Sequence, residues 1–233
     1  MAATGRRGRN PLRQEHRNQP SDRIKAFFFI ALIITLALTV LFNYISTVQP
    51  QNKDALQNSS IALSLMFPLI VINILLSKNV GPKGIISELC LSRDRLTVKN
   101  IGIGLVMFLL IMLLEVGLSA LSAFTGIQLP TNTCAAFAGA PLYALIFTVF
   151  IAPLDEEVLF RGFLVNRFGI VLSALLFMIL HSGYASISEA IGALVFGLIA
   201  GYAFKRTKSL YPSITCHVLV NMIGVLALLH AVC

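Results

Sequence analysis

The sequence predicts an all-α membrane protein, a polytopic bundle of about seven transmembrane helices, and three observations carry that prediction. Of the 233 residues, 57% are apolar and only 12% are charged, whereas a soluble domain carries roughly 25% charged residues. Mean hydropathy is +0.84. The apolar residues also fall in long runs separated by short polar stretches, and a transmembrane helix needs about 20 predominantly apolar residues.

Seven runs suit such helices. The first is about 20 residues long and therefore exceeds the 7–15-residue apolar core of a signal peptide, so we expect an uncleaved helix. The fifth and sixth are short, which also suits helices enclosed by the bundle. The seven runs cover residues 26–46, 60–77, 101–124, 136–161, 170–182, 189–204 and 210–231.

The basic residues predict a cytoplasmic N-terminus. With the N-terminus inside, only Lys53 falls outside the cytoplasmic stretches, as the positive-inside rule requires. The net charge of +8 therefore indicates topology and contact with anionic lipid, not nucleic-acid binding. The residues on the predicted cytoplasmic side are 17 of the 18 Lys and Arg: Arg6, Arg7, Arg9, Arg13, Arg17, Arg23, Lys25, Lys78, Lys83, Arg93, Arg95, Lys99, Arg161, Arg167, Lys205, Arg206 and Lys208.

This layout divides the chain into three regions. Residues 1–25 are predicted to form a basic, disordered cytoplasmic tail, residues 26–130 a set of accessory transmembrane helices, and residues 131–233 a core that carries the polar motifs. Cys134 and Cys233 both fall near the outer face, but spacing alone does not establish a disulfide between them. The sequence has no CxxC pattern, which argues against a thiolate metal site.

Three polar motifs interrupt the apolar runs of the core, and ionisable residues inside a bilayer suggest a functional site by default. Residues four apart share a helix face. The spacing therefore pairs one glutamate with the arginine, places a phenylalanine ring against a histidine, and puts a histidine and an asparagine on one face. The motifs are Glu156-Glu157-x-x-x-Arg161, Phe177-x-x-x-His181 and His217-x-x-x-Asn221.

The three motifs are predicted to lie at one depth. Glu156 lies eleven residues before Arg167, which is about 16 Å along a helix at roughly 1.5 Å per residue. With the same rise per residue, His181 lies about 16 Å and His217 about 13 Å from the predicted cytosolic ends of their helices. If the helices are neighbours, the polar groups meet in a cavity, which we expect to open towards the cytosol.

Such a set of side chains suits hydrolysis of an acyl bond by an activated water. A carboxylate and an imidazole, here Glu156 and His181, can bind and deprotonate water, and His217 with Asn221 can donate hydrogen bonds to an oxyanion. A single polar residue in a membrane helix is often only a contact between helices. Two other classes of protein stay open: a proton-coupled transporter and a non-catalytic membrane scaffold or immunity protein.

EExxxR, FxxxH and HxxxN in this order resemble the CPBP family, the CAAX proteases and bacteriocin-processing enzymes also called the Abi family. The resemblance covers about residues 136–231 and implies an intramembrane endopeptidase with a helical bundle fold. Its best-known members are the Ras-converting CAAX endopeptidases, which trim prenylated proteins at the cytosolic side of a membrane. Substrates implied here are prenylated CAAX-type C-termini or bacteriocin-like peptides.

The resemblance also assigns roles to residues. It gives Glu156 and His181 the activation of water and His217 and Asn221 the oxyanion hole, while Glu157, Arg161 and Phe177 support them. Glu156, His181 and His217 could alternatively hold Zn²⁺, but the HExxH arrangement is absent, and we favour a metal-free glutamate mechanism. Glu115, in the third run, is left without a role. The lack of a targeting pattern fits a bacterial plasma membrane, although the same pattern would occur in a protein of an internal eukaryotic membrane.

Overall fold

The protein is described by a computed structural model that covers residues 22–48, 53–78, 80–127, 139–183 and 186–230. All regular elements in these ranges are helical, which confirms the predicted all-α class. Most of the predicted tail, together with Cys134 and Cys233, lies outside the described residues. The helices are α1 (Asp22–Val48), α2 (Lys53–Leu76), α3 (Pro82–Glu88), α4 (Val98–Thr125), α5 (residues 142–165), α6 (Asn166–Ser182), α7 (Ile187–Thr207) and α8 (Tyr211–Leu229), with a 3-10 turn at Arg93–Arg95.

Six helical runs in the described ranges are long and apolar enough to cross a membrane, and one of them joins two predicted spans. Leu142–Ser182 is 41 residues long, about twice what one crossing needs. At Gly169 the backbone leaves the helical region, with φ 85° and ψ 175°, a conformation open mainly to glycine. The run is therefore divided at Gly169, near the start of α6, into two parts that correspond to the fourth and fifth predicted segments.

Helix α5 alternates between α and π geometry, which the sequence analysis did not predict. Its segments are Leu142–Ile146 (α), Phe147–Ile151 (π), Ala152–Glu157 (α) and Val158–Val165 (π). In the first π segment the N–H of Ala152 donates to the carbonyl of Phe147, five residues earlier. The next bond in that register would join residue 153 to Thr148, but Pro153 has no N–H. The carbonyl of Thr148 is therefore left for another donor.

Helix α7 packs against α6 through small residues. A Cβ placed on Gly197 would lie 2.9 Å from Cβ of Ala174 on α6, and one on Gly201 would lie 2.7 Å from Cγ2 of Ile170. The glycines therefore let α6 and α7 approach closely, as small residues do between membrane helices. This contact holds α6, the helix that carries His181, against α7.

We expect Gly197→Ala to lower the melting temperature of the purified protein. The added methyl also meets the backbone of Ala174 at 3.0 Å, and overpacking of this kind costs about 1–3 kcal/mol. Gly102→Ala is the matched control because a Cβ there meets nothing within 4 Å and alanine favours the helix by about 1 kcal/mol. Equal melting temperatures of the two variants in detergent would contradict a tight seam.

The helices run alternately between two ends of the bundle. At one end Leu210 N donates to Cys90 O (3.2 Å), and the hydroxyl of Tyr211 donates to Leu91 O (3.0 Å). We call this end, formed by residues 77–97, 166–169 and 208–210, the basic face. At the other end the hydroxyl of Tyr143 donates to Asn58 Oδ1 (2.7 Å). We call this end, formed by the C-termini of α1, α4, α6 and α8 and the N-termini of α2, α5 and α7, the opposite face.

Candidate active site

The three polar motifs meet at one level of the bundle. Oε2 of Glu156, on α5, lies 3.7 Å from Nε2 of His217 on α8 and 3.9 Å from Nε2 of His181 on α6. The three helices are therefore neighbours, which was the condition for their polar groups to meet. Residues up to 61 positions apart in the sequence thus form one cluster.

Glu157 anchors this cluster from behind. Nη1 of Arg161 donates to its Oε1 at 2.8 Å, and Nδ1 of His217 donates to the same oxygen at 3.0 Å. The Glu157 and Arg161 side chains are 0% and 1% exposed, so the predicted i, i+4 pair is a buried ion pair. One carboxylate oxygen therefore holds both the arginine and the imidazole in place.

Two phenylalanine rings cover the guanidinium of Arg161. Its Cζ lies 4.4 Å from the centroid of Phe177 and 4.8 Å from that of Phe196, within range for cation–π attraction. The same two rings contact the histidines, with Phe177 4.3 Å from His181 and Phe196 4.8 Å from His217. Phe177 thus packs against His181 as predicted, and it also holds the arginine.

The hydrogen bonds fix the tautomer of each neutral histidine. Nδ1 of His181 lies 3.0 Å from the carbonyl of Phe177, and a carbonyl can only accept. Nδ1 of His217 faces the carboxylate of Glu157 in the same way. Both Nδ1 atoms therefore carry a proton, and in a neutral ring Nε2 is an acceptor. Two acceptor nitrogens and one oxygen of Glu156 thus face each other at distances too long for direct hydrogen bonds and suited to bound water.

Asn221 is held by the irregularity of α5. Its Nδ2 donates to the carbonyl of Thr148 at 2.8 Å, the carbonyl that Pro153 leaves without its helical donor. One N–H of the amide is thereby used, and the second stays available to another acceptor. His217 and Asn221 were expected to grip one group together. Instead each has its own anchor, and both line the same cavity.

A cavity of about 430 Å³ adjoins the cluster. The helices predicted as accessory supply one of its walls, which carries hydroxyl and amide groups. Oε1 of Gln57 and Oγ of Ser60 and Ser64 are buried there without a hydrogen-bond partner among the described residues. The polar residues that line the cavity are Thr39, Asn43, Ser46, Gln57, Ser60, Ser64, Glu115, Thr148, Glu156, His181, Glu189, His217 and Asn221.

The cavity lies on the side of the cluster that faces away from the basic loops. His181 is one residue from the end of α6 at Ser182, and this end belongs to the opposite face. The lining also includes Ser46 and Leu228, which lie near the ends of α1 and α8 at that face. The depth of the polar residues was counted from one end only, so it does not say on which side of the cluster the cavity lies.

Several residues around the cluster were missed from the sequence. Phe196 stands beside Gly197 in an apolar stretch, and nothing in its spacing distinguishes it from packing. The Gln57, Ser60 and Ser64 wall did have a signal, because these residues recur at helical spacing on one face of α2. Asp155 is 7% exposed, and the structure assigns it no role.

The donor atoms of the cluster fit a metal in kind but not in spacing. Glu156, His181 and His217 present one oxygen and two nitrogens, a suitable set for Zn²⁺. Tetrahedral ligands about 2.0–2.1 Å from zinc lie about 3.3 Å apart, whereas the separations here are 3.7 and 3.9 Å. No group of three or more His, Cys, Asp and Glu in the described ranges is disposed to hold a metal ion. We derive no step through a metal.

Comparison with known proteins supports the resemblance seen in the motifs. Residues 138–223 match the family model of the type II CAAX prenyl endopeptidases, Rce1-like, and the match contains all three motifs. An "Uncharacterized 24.3 kDa protein" of Escherichia coli is 33% identical over 92 residues, which cover 35% of this chain and 42% of that relative. The chain thus spans less than half the length of this relative. No solved structure matches. With six apolar helices of sufficient length in the part of the chain that the structure describes, the chain is an integral membrane protein.

Proposed function

We propose that the protein is an intramembrane endopeptidase that hydrolyses a peptide bond with a water activated by Glu156. The observation that supports this best is the meeting of Glu156 with two histidine Nε2 atoms at the inner end of a polar cavity. The family match over residues 138–223 supports a CAAX-type protease in general. It leaves the mechanism and the substrate to be inferred from the residues.

In the proposed reaction, a water lies between Glu156 and the Nε2 atom of His181. The water oxygen attacks the carbonyl carbon of the peptide bond while one water proton passes to the carboxylate of Glu156. The carbonyl oxygen becomes an oxyanion. The proton then passes from Glu156 to the leaving nitrogen, the C–N bond breaks, and an acid and an amine are released.

The oxyanion is assigned to Asn221 and His217. Asn221 has one amide N–H left after it has bonded to Thr148. His217 already uses its Nδ1 proton towards Glu157, so it can donate from Nε2 only as the imidazolium. Glu157 and Arg161 then have a defined part, because the carboxylate stabilises the charged ring and the arginine keeps that carboxylate ionised.

The substrate is proposed to be a peptide or protein segment at the membrane. Prenylated CAAX-type ends and bacteriocin-like peptides both fit the family resemblance, and lipid contacts the exposed apolar faces of the helices. We place the protein in a bacterial plasma membrane.

The proposal is tested by mapping peptide termini in cells that carry wild type or Glu156→Gln at equal expression. Termini that occur only with wild type would support a protease and identify its substrates. Identical lists from two folded proteins would favour the alternatives, a non-catalytic scaffold or immunity protein or a proton-coupled transporter. Ion flux through vesicles containing the protein would then separate those two.

We expect cleavage to be insensitive to metal chelators. If Glu156 alone accepts the proton of the attacking water, removal of divalent ions takes nothing from the reaction. The measurement is the cleavage rate of purified enzyme before and after incubation with 1,10-phenanthroline or EDTA. A loss of activity that returns on addition of Zn²⁺ would show that Glu156, His181 and His217 hold a metal after all.

A further inference from the structure

We infer that Pro153 is a positioning residue for cleavage, because it leaves the carbonyl of Thr148 free to hold Asn221. The inference rests on the proposed function, in which Asn221 donates a hydrogen bond to the oxyanion. It adds a residue that touches neither the water nor the substrate. Three features carry it: the hydrogen-bond register of α5, the bonds that α5 makes to α6 and α8, and the comparison with a second proline in the bundle.

The carbonyl of Thr148 loses two backbone donors in succession. In an α-helix it would accept from the N–H of Ala152, four residues later, but that group donates to the carbonyl of Phe147 instead. In the π register the donor would be residue 153, and proline has no N–H. Backbone groups inside a membrane need a partner within the protein. The carbonyl of Thr148 therefore requires a donor from outside its own helix.

Asn221 supplies that donor. The first π segment, Phe147–Ile151, packs against α8, and Nδ2 of Asn221 donates to the carbonyl of Thr148 at 2.8 Å. Because a carbonyl can only accept, the bond also decides that the nitrogen of the amide, and not its oxygen, faces α5. Asn221 and Glu156 line the same cavity, so the bond fixes the amide at the wall where the oxyanion would form.

A proline alone does not produce this arrangement. Pro68 also lies inside a transmembrane helix, α2, yet that helix keeps α geometry from Lys53 to Leu76. The π turn before Pro153 is therefore a property of α5 and not of proline in general. Single π turns inside α-helices occur frequently at functional sites, and this one releases its carbonyl towards a residue of the cluster.

The second π segment of α5 is also bonded to a neighbouring helix. Within Val158–Val165 the carbonyl of Phe160 accepts a hydrogen bond from the buried hydroxyl of Ser173 on α6, at 2.8 Å. Helix α6 carries His181 and α8 carries Asn221, so each irregular segment is bonded to a helix that contributes to the cluster. The two π segments thus help to set the positions of α6 and α8 relative to α5.

Thermal unfolding in detergent tests the bond without any need for activity. The four proteins are wild type, Pro153→Ala, Asn221→Ala and the double variant. Alanine at 153 restores an N–H, so the carbonyl of Thr148 regains a donor from its own helix in either register. We expect Asn221→Ala to lower the melting temperature when Pro153 is present and to lower it clearly less when alanine replaces it, because the two sites are coupled. Pro68→Ala is the matched control and should leave the effect of Asn221→Ala unchanged.

Cleavage kinetics of the same four proteins test the consequence for the reaction. We expect Pro153→Ala to lower kcat by up to about 10²-fold, the cost of misplacing a group by about 1 Å. KM should change little, because the amide acts on the transition state. In the Asn221→Ala background the same substitution should cause no further loss, since the effects of residues that act as a unit do not add.

The inference is overturned if the effects of the two substitutions simply add, in melting temperature or in kcat, or if Pro153→Ala keeps the wild-type rate. If Pro153→Ala does not fold, Asn221→Ala alone decides, and an unchanged melting temperature overturns the inference. Coupled melting temperatures in a protein that cleaves nothing, wild type included, would confirm the anchor of Asn221 and remove the peptidase proposal. Additive effects in a protein that Glu156→Gln inactivates would keep the peptidase and remove the role of Pro153.

Discussion

Glu156→Gln should abolish cleavage, with a loss of about 10²–10⁴-fold or more in rate, the contribution usually made by a general base. The amide has nearly the same shape as the carboxylate, but it cannot accept the proton of the attacking water. The measurement is the rate of cleavage of a wild-type-specific substrate by purified enzyme in detergent or vesicles.

The matched control is Glu115→Gln, which makes the same change on α4 in the same cavity. Its carboxylate lies close to Gly192 of α7, where an added Cβ would meet Oε1 at 3.4 Å. We expect this variant to retain most of its activity. Equal losses in the two variants would mean that cleavage depends on the total charge of the cavity and would remove the assignment of Glu156 as the base.

Glu156→Gln should be at least as stable as wild type. Oε2 of Glu156 is buried and makes no hydrogen bond to the described residues, and burying an ionised carboxylate is costly. Replacing it with a neutral amide removes that cost. A rise in melting temperature with a loss of activity is therefore the expected signature of a group kept for function, whereas a lower melting temperature would indicate a structural role.

The local geometry of the site could be predicted because helical spacing determines it. Glu157 contacts Arg161, and Phe177 contacts His181, each four residues apart. The common depth of Glu156, His181 and His217 predicted that they could meet, on the condition that their helices are neighbours. The partner of Asn221 could not be predicted in this way. It depends on a π turn that brings Pro153 into the position where Thr148 loses its donor, and π geometry has no simple sequence period.

The direction of the cavity could not be read from depth for a related physical reason. A polar residue near the middle of a helix is about equally far from both faces, so its depth does not say which end is open. What decides the direction is where small and polar side chains leave space between helices. Here that information lies in α1 and α2, which have no motif and which were predicted only as accessory spans.

The second large effect is expected on stability, at Arg161. Arg161→Met keeps an unbranched side chain but removes its charge, and it leaves Glu157 as a buried carboxylate without its ion-pair partner. Breaking a buried ion pair from one side costs about 3–5 kcal/mol, which for a chain of this size corresponds to a fall of about 6–20 °C in melting temperature. Thermal unfolding of the purified protein in detergent measures it.

Arg167→Met is the matched control because it removes an arginine from the same helical region. Arg167 and Glu88 are 24% and 47% exposed and 3.8 Å apart, and an exposed pair of this kind contributes about 0–1 kcal/mol. If Arg161→Met lowers the melting temperature no more than Arg167→Met does, the Glu157–Arg161 pair is solvated and does not anchor the cluster.

The double variant Glu157→Gln with Arg161→Met separates charge burial from catalysis. It removes both charges, so much of the stability lost in Arg161→Met should return, apart from about 0.5–2 kcal/mol for the lost stacking on Phe177 and Phe196. A glutamine oxygen can still accept the Nδ1 proton of His217 and keep its tautomer. It cannot stabilise the imidazolium that the oxyanion step requires, because it carries no negative charge. Restored folding without restored cleavage is therefore expected, and recovery of both together would mean that His217 acts as a neutral ring.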